Sequence, residues 1–479
     1  MRSIHLPKRE AIADNVALPG RPHIGPVAIG GFLLALTIVL SGNAELSGRF
    51  AASFALLVAF VGGVLVIRST PLGQWSMPFL VLLVMVIFHC GLFITPSVNG
   101  DLPLFLLQNR VGWFSFEGLP GLAMTIATGI SAFAFGATVA GMNRPTPRVA
   151  EEAGSPLNQE SMRRVIAGVG SVVVLACIAT WALVSVSAAG STFFLLSYDR
   201  YLDLTKGSSI GLAYMGIALG VPMIAQHVRS RLALAGLLAF TAFAALGFPL
   251  GLRGEVLVPL VAGTGIFMKY ARVRPRWLLL FVSIAVLVGV ALVRQIRALG
   301  VGNLNDSTGV AVNLLDGIEE MGSTARVVAL SLSWHEQLGE PYRLGETYVT
   351  PILRYWNTVI GQENPLADTD MRLFNVLVSQ RVGQVGGSVI GEAHHNFGIV
   401  GVVMVLFAWG FLIARLDVQQ TAPMGMGVLG VVSVLFLAHV RDASTHLPIW
   451  LVVGTLLLVL SYGLVNLQQT FRGKVLDGR

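Results

Sequence analysis

Residues 391–401 read GEAHHNFGIVG, and an almost wholly apolar run, GIVGVVMVLFAWGFLIA, follows from residue 398. A carboxylate, two imidazoles and a carboxamide fall within five positions. On a helix, Glu392, His395 and Asn396 stand at i, i+3 and i+4 and share a face, while His394 points roughly the other way. A carboxylate hydrogen-bonded to an imidazole can serve as a general base toward a hydroxyl. Zinc would need three or four ligands, and the chain has no HExxH and no CxxC. A nucleophilic triad would need an activated Ser or Cys, and neither Cys90 nor Cys177 is suitably placed. The plain alternative is a polar helix start, since charged groups at helix N-termini are ordinary.

Arginines are the second set of residues with chemistry to offer. Arg253 and Glu255 sit in PLGLRGEVLVP, a short glycine-rich turn between two apolar runs. Such a turn holds a guanidinium at the membrane boundary, where its planar fork suits a phosphate. Pairing of Arg253 with Glu255 is the equal alternative. Arg200 lies in SYDRYLDLTKGSSIG beside Asp199 and Asp203, so a surface ion pair competes there too. Arg294 and Arg297 leave an apolar run at i, i+3, either as site residues or as anchors, and Arg381 shortly precedes GQVGGSVIGE.

The elements that must position these groups follow from composition. The 479 residues are 54% hydrophobic and 12% charged, about half the charge of a soluble domain. Mean hydropathy is +0.74. Many runs approach the roughly 20 residues that a membrane-crossing helix needs. The expected fold is therefore all-α and polytopic. Twelve spans are predicted, with cores near 26–42, 50–67, 77–95, 119–141, 164–188, 207–225, 231–247, 254–268, 277–293, 396–414, 424–440 and 447–466. The organisation is a tail 1–25, nine spans over 26–293, a loop 294–392, three spans over 393–467, and a tail 468–479. The polar N-terminus lacks a signal-peptide pattern, so no cleavage is expected.

With the N-terminus inside, 19 of the 32 Lys and Arg fall in cytoplasmic segments and 13 outside. Seven of the 13 lie in the long loop, which is a poor reporter of topology. The bias places both termini in the cytoplasm. It also accounts for the net charge of +7 without a nucleic-acid partner. The long loop carries eleven acidic residues against its seven arginines, so any phosphate-binding arginine there must act locally. Within it, residues 325–338 and 351–361 read as interfacial helices, and 362–372 as a polar loop. Span centres are nearly free of charge, which puts the expected site at the outer membrane surface.

The stretch GGSVIGEAHHNFGIVG (386–401) resembles the C-terminal signature of Wzy-type O-antigen and oligosaccharide repeat-unit polymerases. GLRGEVLVPLV, GETYVTPILRYW and SYDRYLDLTKGSSIG resemble that family's Gly-Arg turn, the segment early in its large outer loop, and its Arg-bearing outer loop. The resemblance covers roughly residues 195–410, in order and on one membrane face; the His-His pair is not a fixed part of it. It implies a membrane glycosyltransferase of GT-C-like architecture in a bacterial inner membrane, with no cofactor and no obligatory metal. The implied substrate is an oligosaccharide on undecaprenyl diphosphate. The implied partners are membrane lipid, a chain-length regulator and a flippase. On this resemblance Glu392, with His395, is the acceptor base. Arg253 and Arg200 stabilise the leaving diphosphate, with Arg294 and Arg381 behind them, and Asn396 orients the base or contacts sugar. An O-antigen ligase-like transferase and a non-enzymatic flippase or exporter are the alternatives. Charge concentrated at one membrane face disfavours the flippase.

Overall fold

The computed structural model describes residues 24–42, 45–99, 118–142, 156–271, 314–383, 385–419 and 422–477, with a few isolated positions between 275 and 289. All regular structure among these residues is helical. Among the described residues nine helices are long and apolar enough to cross a membrane, and a bent pair makes up to ten. This is the polytopic all-α fold expected, because only internally hydrogen-bonded helices satisfy the backbone in lipid. Two of the twelve expected spans are not among these ten. Arg253–Tyr270 is helical, but its 18 residues carry three charges, Arg253, Glu255 and Lys269. The span predicted at 277–293 falls outside the described residues apart from isolated positions.

In chain order the helices are α1 (Ile24–Ser41), α2 (Gly48–Ser69), α3 (Met77–Cys90, extended to Val98 as one span) and α4 (Leu119–Met142). Next come α5 (Pro156–Ala189), α6 (Tyr198–Thr205), α7 (Ile210–Ile224), α8 (Arg231–Leu250) and α9 (Arg253–Tyr270). The long loop contributes α10 (Leu314–Met321), α11 (Ala325–Leu332), α12 (Glu346–Val359) and α13 (Phe374–Val382). The chain closes with α14 (Val389–Gln419), α15 (Pro423–Arg441) and α16 (Leu447–Asp477). Helices α6 and α7 are the bent pair, at 109°.

The centre of the bundle is α4, whose most apolar stretch is 89% buried. It packs on α14 through reciprocal small residues. A Cβ at Gly136 would meet the Phe407 carbonyl, and one at Gly410 would meet the Phe133 carbonyl. Without a hydrophobic drive between helices in lipid, backbones this close supply the packing energy. At one end of the bundle, Lys269 pairs with Asp417 at 3.1 Å, and Asp417 Oδ1 also accepts from Met77 N at 3.3 Å. This fastens the ends of α9 and α14 to the start of α3. Glu392, His395 and Asn396, at the start of α14, lie away from this end.

Two elements there differ from expectation. Residues 325–338 are no interfacial helix: Val327, Val328, Leu330 and Trp334 are all buried. They are buried because Gly391, lacking a side chain, lets α14 come within 3.0 Å of the Val327 carbonyl, measured from an ideal Cβ. Nor does α14 run straight from residue 391. Gly398 adopts φ 63°, ψ −152°. A Cβ at Gly401 would collide with the Ala393 carbonyl, although eight residues of straight helix would span about 12 Å. Ile390 and Val402 both pack on Gly129. The chain thus doubles back at Gly398, and the short arm 389–397 lies alongside the start of the long arm.

Candidate active site around Glu392

The short arm of α14 is anchored at its start by Ser388. Its hydroxyl accepts from Gly391 N at 3.1 Å, and its carbonyl accepts from Glu392 N at 2.8 Å. One turn on, Glu392 is fully buried and accepts four hydrogen bonds. Oε1 takes the hydroxyls of Thr347 (2.7 Å) and Ser444 (2.6 Å). Oε2 takes Ser444 N (2.8 Å) and His439 Nε2 (3.0 Å). Four donors and no acceptor is the coordination of an ionised carboxylate.

Asn396 builds the same wall. Its Nδ2 donates to Thr347 Oγ1 at 2.7 Å and to the Glu392 carbonyl at 2.9 Å. Its Oδ1 accepts from Gly345 N and Thr347 N at 3.0 and 3.4 Å. These N–H groups belong to the start of α12, where a helix has no internal partners for them. The reversal at Gly398 frees the last carbonyls of the short arm in the same way. Those of His395 and Asn396 accept from Arg343 N and Leu344 N at 3.1 and 2.9 Å. The loop segment 343–347 and the short arm thus satisfy each other's open ends, and this fixes Thr347 over Glu392.

The imidazole partner of Glu392 is His439 of α15, not His395. Within the short arm the helical phasing holds, and Glu392 and Asn396 share Thr347. His395, however, engages His335, Nδ1 to Nε2 at 2.9 Å, and lies between the rings of Trp334 and Phe374. His335 Nδ1 in turn contacts the Glu340 carbonyl at 2.7 Å, and only a donor suits that acceptor. A neutral His335 then accepts at Nε2 from His395 Nδ1, which ties the two rings together, while His395 Nε2 has no partner among the described residues. His394 turns away, as its phase requires, to Ser331 Oγ at 2.9 Å.

His439 is 2% exposed. In the tautomer that gives Nε2–H to Glu392, Nδ1 carries the lone pair. That atom has no hydrogen-bond partner, and neither has the buried Tyr348 hydroxyl. Both residues line one cavity of about 310 Å³, together with Val405, Trp409 and Leu412 of α14 and Leu447 of α16. Burial, and the charge on Glu392, hold the Tyr348 phenol well above its ordinary pKa, so it is a neutral hydroxyl. His439, held by a carboxylate and lining a cavity, is a base candidate for proton abstraction from a hydroxyl, with Nδ1 itself covered in this structure.

The arginines divide. Arg253 is buried at the first position of α9. Arg441, two residues beyond His439, lies against the same helix start: a Cβ at Gly254 would come 2.8 Å from its Nη1. Its guanidinium also sits 5.8 Å from the Phe88 ring centre. Arg200 is exposed on α6, because its neighbour Tyr201 takes the inward position, hydrogen-bonded by Trp181 and Ser185. Arg381 pairs with Glu340 at 2.7 Å and stacks on Trp334, which joins it to the His395 layer rather than to Glu392. Arg294 lies outside the described residues. Among those described, no three His, Cys, Asp or Glu side chains are grouped to hold a metal ion.

Four residues of the site were not singled out by the sequence reading: His439, Arg441, Thr347 and Ser444. The available signal was HVRDAS (439–444), a histidine and an arginine where an apolar span ends. An unpaired charge is expensive at that depth.

Protein CapE of Staphylococcus aureus is 22% identical over 204 residues, which is 42% of this chain and 44% of that protein. The chain thus spans less than half the length of this relative. No solved structure matches. The family model for O-antigen polysaccharide polymerase Wzy matches residues 29–469, nearly the whole chain, and the protein is therefore a member of the Wzy O-antigen polymerase family.

Proposed function

We propose that the protein polymerises oligosaccharide repeat units carried on a polyprenyl diphosphate, at the outer face of a bacterial inner membrane, with both termini cytoplasmic. The acceptor sugar hydroxyl attacks the anomeric carbon of the donor glycan. A C–O bond forms there, the bond from that carbon to the diphosphate oxygen breaks, and the diphosphate leaves with the electron pair. His439 Nδ1 takes the hydroxyl proton. Glu392 holds the ring through Nε2 and stabilises the imidazolium that forms. Thr347, Ser444 and Asn396 keep Glu392 in place. Glu392 is itself a poor direct base, since substrate would have to displace one of its four donors. Arg253 and Arg441 supply positive charge for the leaving diphosphate, and Arg200, at the surface, is a contact for its approach.

The observation that carries this reading is the Glu392–His439 hydrogen bond, with His439 lining the cavity and its Nδ1 unpartnered among the described residues. The test is reconstitution of the purified protein with lipid-linked repeat unit and no nucleotide sugar. A ladder of products, lost in His439→Ala, supports the proposal. Transfer of one glycan to a different acceptor, with no ladder, identifies a ligase instead. A full ladder from His439→Ala removes His439 as the base.

A further inference from the structure

The cavity beside His439 is a cleft in the wall of the bundle. On one side Val405, Ala408 and Leu412 follow the long arm of α14 over two turns, or about 10 Å. Leu447 of α16 closes the other side. Leu412 is exposed, as are Met404 of α14 and Leu451, one turn beyond Leu447. On helices of this apolar character, such a surface faces lipid. The cleft therefore opens sideways into the bilayer. Above it lies α12, whose Thr347 and Tyr348 reach inward. The face of α12 opposite the buried Thr347, Thr350 and Pro351 shows Ile352, Trp356 and Val359, with Val359 79% exposed, and Tyr348 stands at the edge between the two. That is the pattern of a helix lying in the membrane interface. It joins the lipid-facing surface of α14 where Gly345 packs on Phe397.

The cleft lining is thus hydrocarbon except for Tyr348 and His439, whose hydroxyl and Nδ1 have no hydrogen-bond partner among the described residues. That is the shape and chemistry of an amphiphile site. We propose that it holds the isoprenoid chain of the glycan donor, which enters laterally beneath α12. This rests on the transfer reaction proposed above. The choice between substrates follows from connectivity. The donor's reacting carbon is bonded to the diphosphate and so lies next to its lipid. The acceptor's reacting hydroxyl is separated from its own lipid by a whole oligosaccharide. A hydrocarbon cleft beside the base can accommodate the donor's chain and not the acceptor's. The Tyr348 hydroxyl is then a donor to a phosphate oxygen, and residues 405–412 set which chains fit.

The test uses the wild-type protein in nanodiscs and a donor with a diazirine on the isoprenoid units nearest the diphosphate. Its terminal acceptor hydroxyl is blocked, and a soluble glycoside of the repeat unit is the acceptor. Photolysis is expected to label peptides covering 405–412 and 447–451. Labelling confined to other helices overturns the assignment. A second measurement varies donor chain length in Ala408→Phe. The variant should raise the KM of the full-length donor at least tenfold, with kcat within twofold, and this penalty should shrink as the chain is shortened. An equal penalty at every chain length means that the cleft holds sugar, and no penalty means that it holds no part of the donor; either overturns the proposal. Failure of the wild type to transfer glycan would refute the reaction itself, while the labelling pattern would still report which lipid the cleft takes.

Discussion

The Oε2 atom of Glu392 lies 3.0 Å from Nε2 of His439, 47 residues away in the chain, and both side chains are almost entirely buried. The two atoms belong to different helices, brought together by the reversal at Gly398 and the end of α15. The pair is asymmetric. One member has every acceptor position filled, and the other, which lines a cavity, keeps one nitrogen without a partner among the described residues.

That asymmetry predicts different defects for the two side chains. His439→Ala removes the proton acceptor, and a general base contributes about 10²–10⁴-fold. The turnover number for ladder formation should fall by that amount, with donor binding largely retained. Glu392→Gln keeps the shape but turns one acceptor oxygen into a donor facing Ser444 N and His439. It should lower turnover comparably and also reduce the thermal stability of the detergent-solubilised protein, because a buried donor left unsatisfied costs about 1–3 kcal/mol. Equal stability of Glu392→Gln and wild type would show that the four hydrogen bonds are not formed together.

Thr347 joins Glu392 to Asn396: its hydroxyl donates to one and accepts from the other. Thr347→Val fills the same space and breaks both bonds, whereas Thr347→Ser preserves them. Ladder formation should drop by roughly tenfold or more in the valine variant, on the basis of about 1–3 kcal/mol for buried polar groups left unpaired, and recover in the serine variant. Donor-chain labelling should not change in either, which separates a positioning role from substrate contact.

Gly398 stands at φ 63°, ψ −152°, a region that only glycine occupies without strain. A Cβ there would also lie 3.0 Å from the Tyr342 ring. Gly398→Ala should destabilise the protein by about 1–3 kcal/mol on backbone strain. It should also inactivate it, because the short arm can no longer hold Glu392 against His439. The check is thermal unfolding together with ladder formation. Val400→Ala is the control: Val400 is exposed on the long arm, so its truncation removes no buried contact and should leave both readouts unchanged.

Much of this was legible in the chain. Apolar runs located ten of the twelve expected spans, counting the bent pair, because backbone satisfaction in lipid leaves one solution per run. Helical phasing assigned Glu392 and Asn396 to one wall and His394 to the other, because that phasing is local. The reversal was not legible. GIVGVVMV continues the hydropathy of a straight helix, and the φ of Gly398 is set by packing on Tyr342. Nor could the partner of Glu392 be read. His395 is adjacent in phase, but Trp334, Phe374 and His335 take it into a separate layer, and His439 arrives from a helix that pairs only in three dimensions. The interfacial reading failed for 325–338 because Gly391 provides a place to bury that segment, whereas nothing described covers the outer face of α12.

The loop beyond α12 has its own pH dependence. Asp370 accepts from Arg354 Nη1 at 2.7 Å and from Arg372 Nε and Nη2 at 2.8 and 2.9 Å. These guanidiniums, Arg372 foremost, lower its pKa from 3.8 to about 2. A carboxylate whose pKa is depressed on folding adds stability that is complete above the unfolded value and disappears as pH falls through the folded one. The link between α12 and residues 361–373 should therefore hold at neutral pH and weaken progressively from about pH 5 toward pH 2. Limited proteolysis of the reconstituted protein with an acid-active protease should show cleavage within 361–369 rising over that window. Asp370→Asn cannot ionise, so its cleavage should start higher and stay flat across the same range. A wild-type profile as flat as that of Asp370→Asn would mean that the ion pairs do not hold the loop to α12.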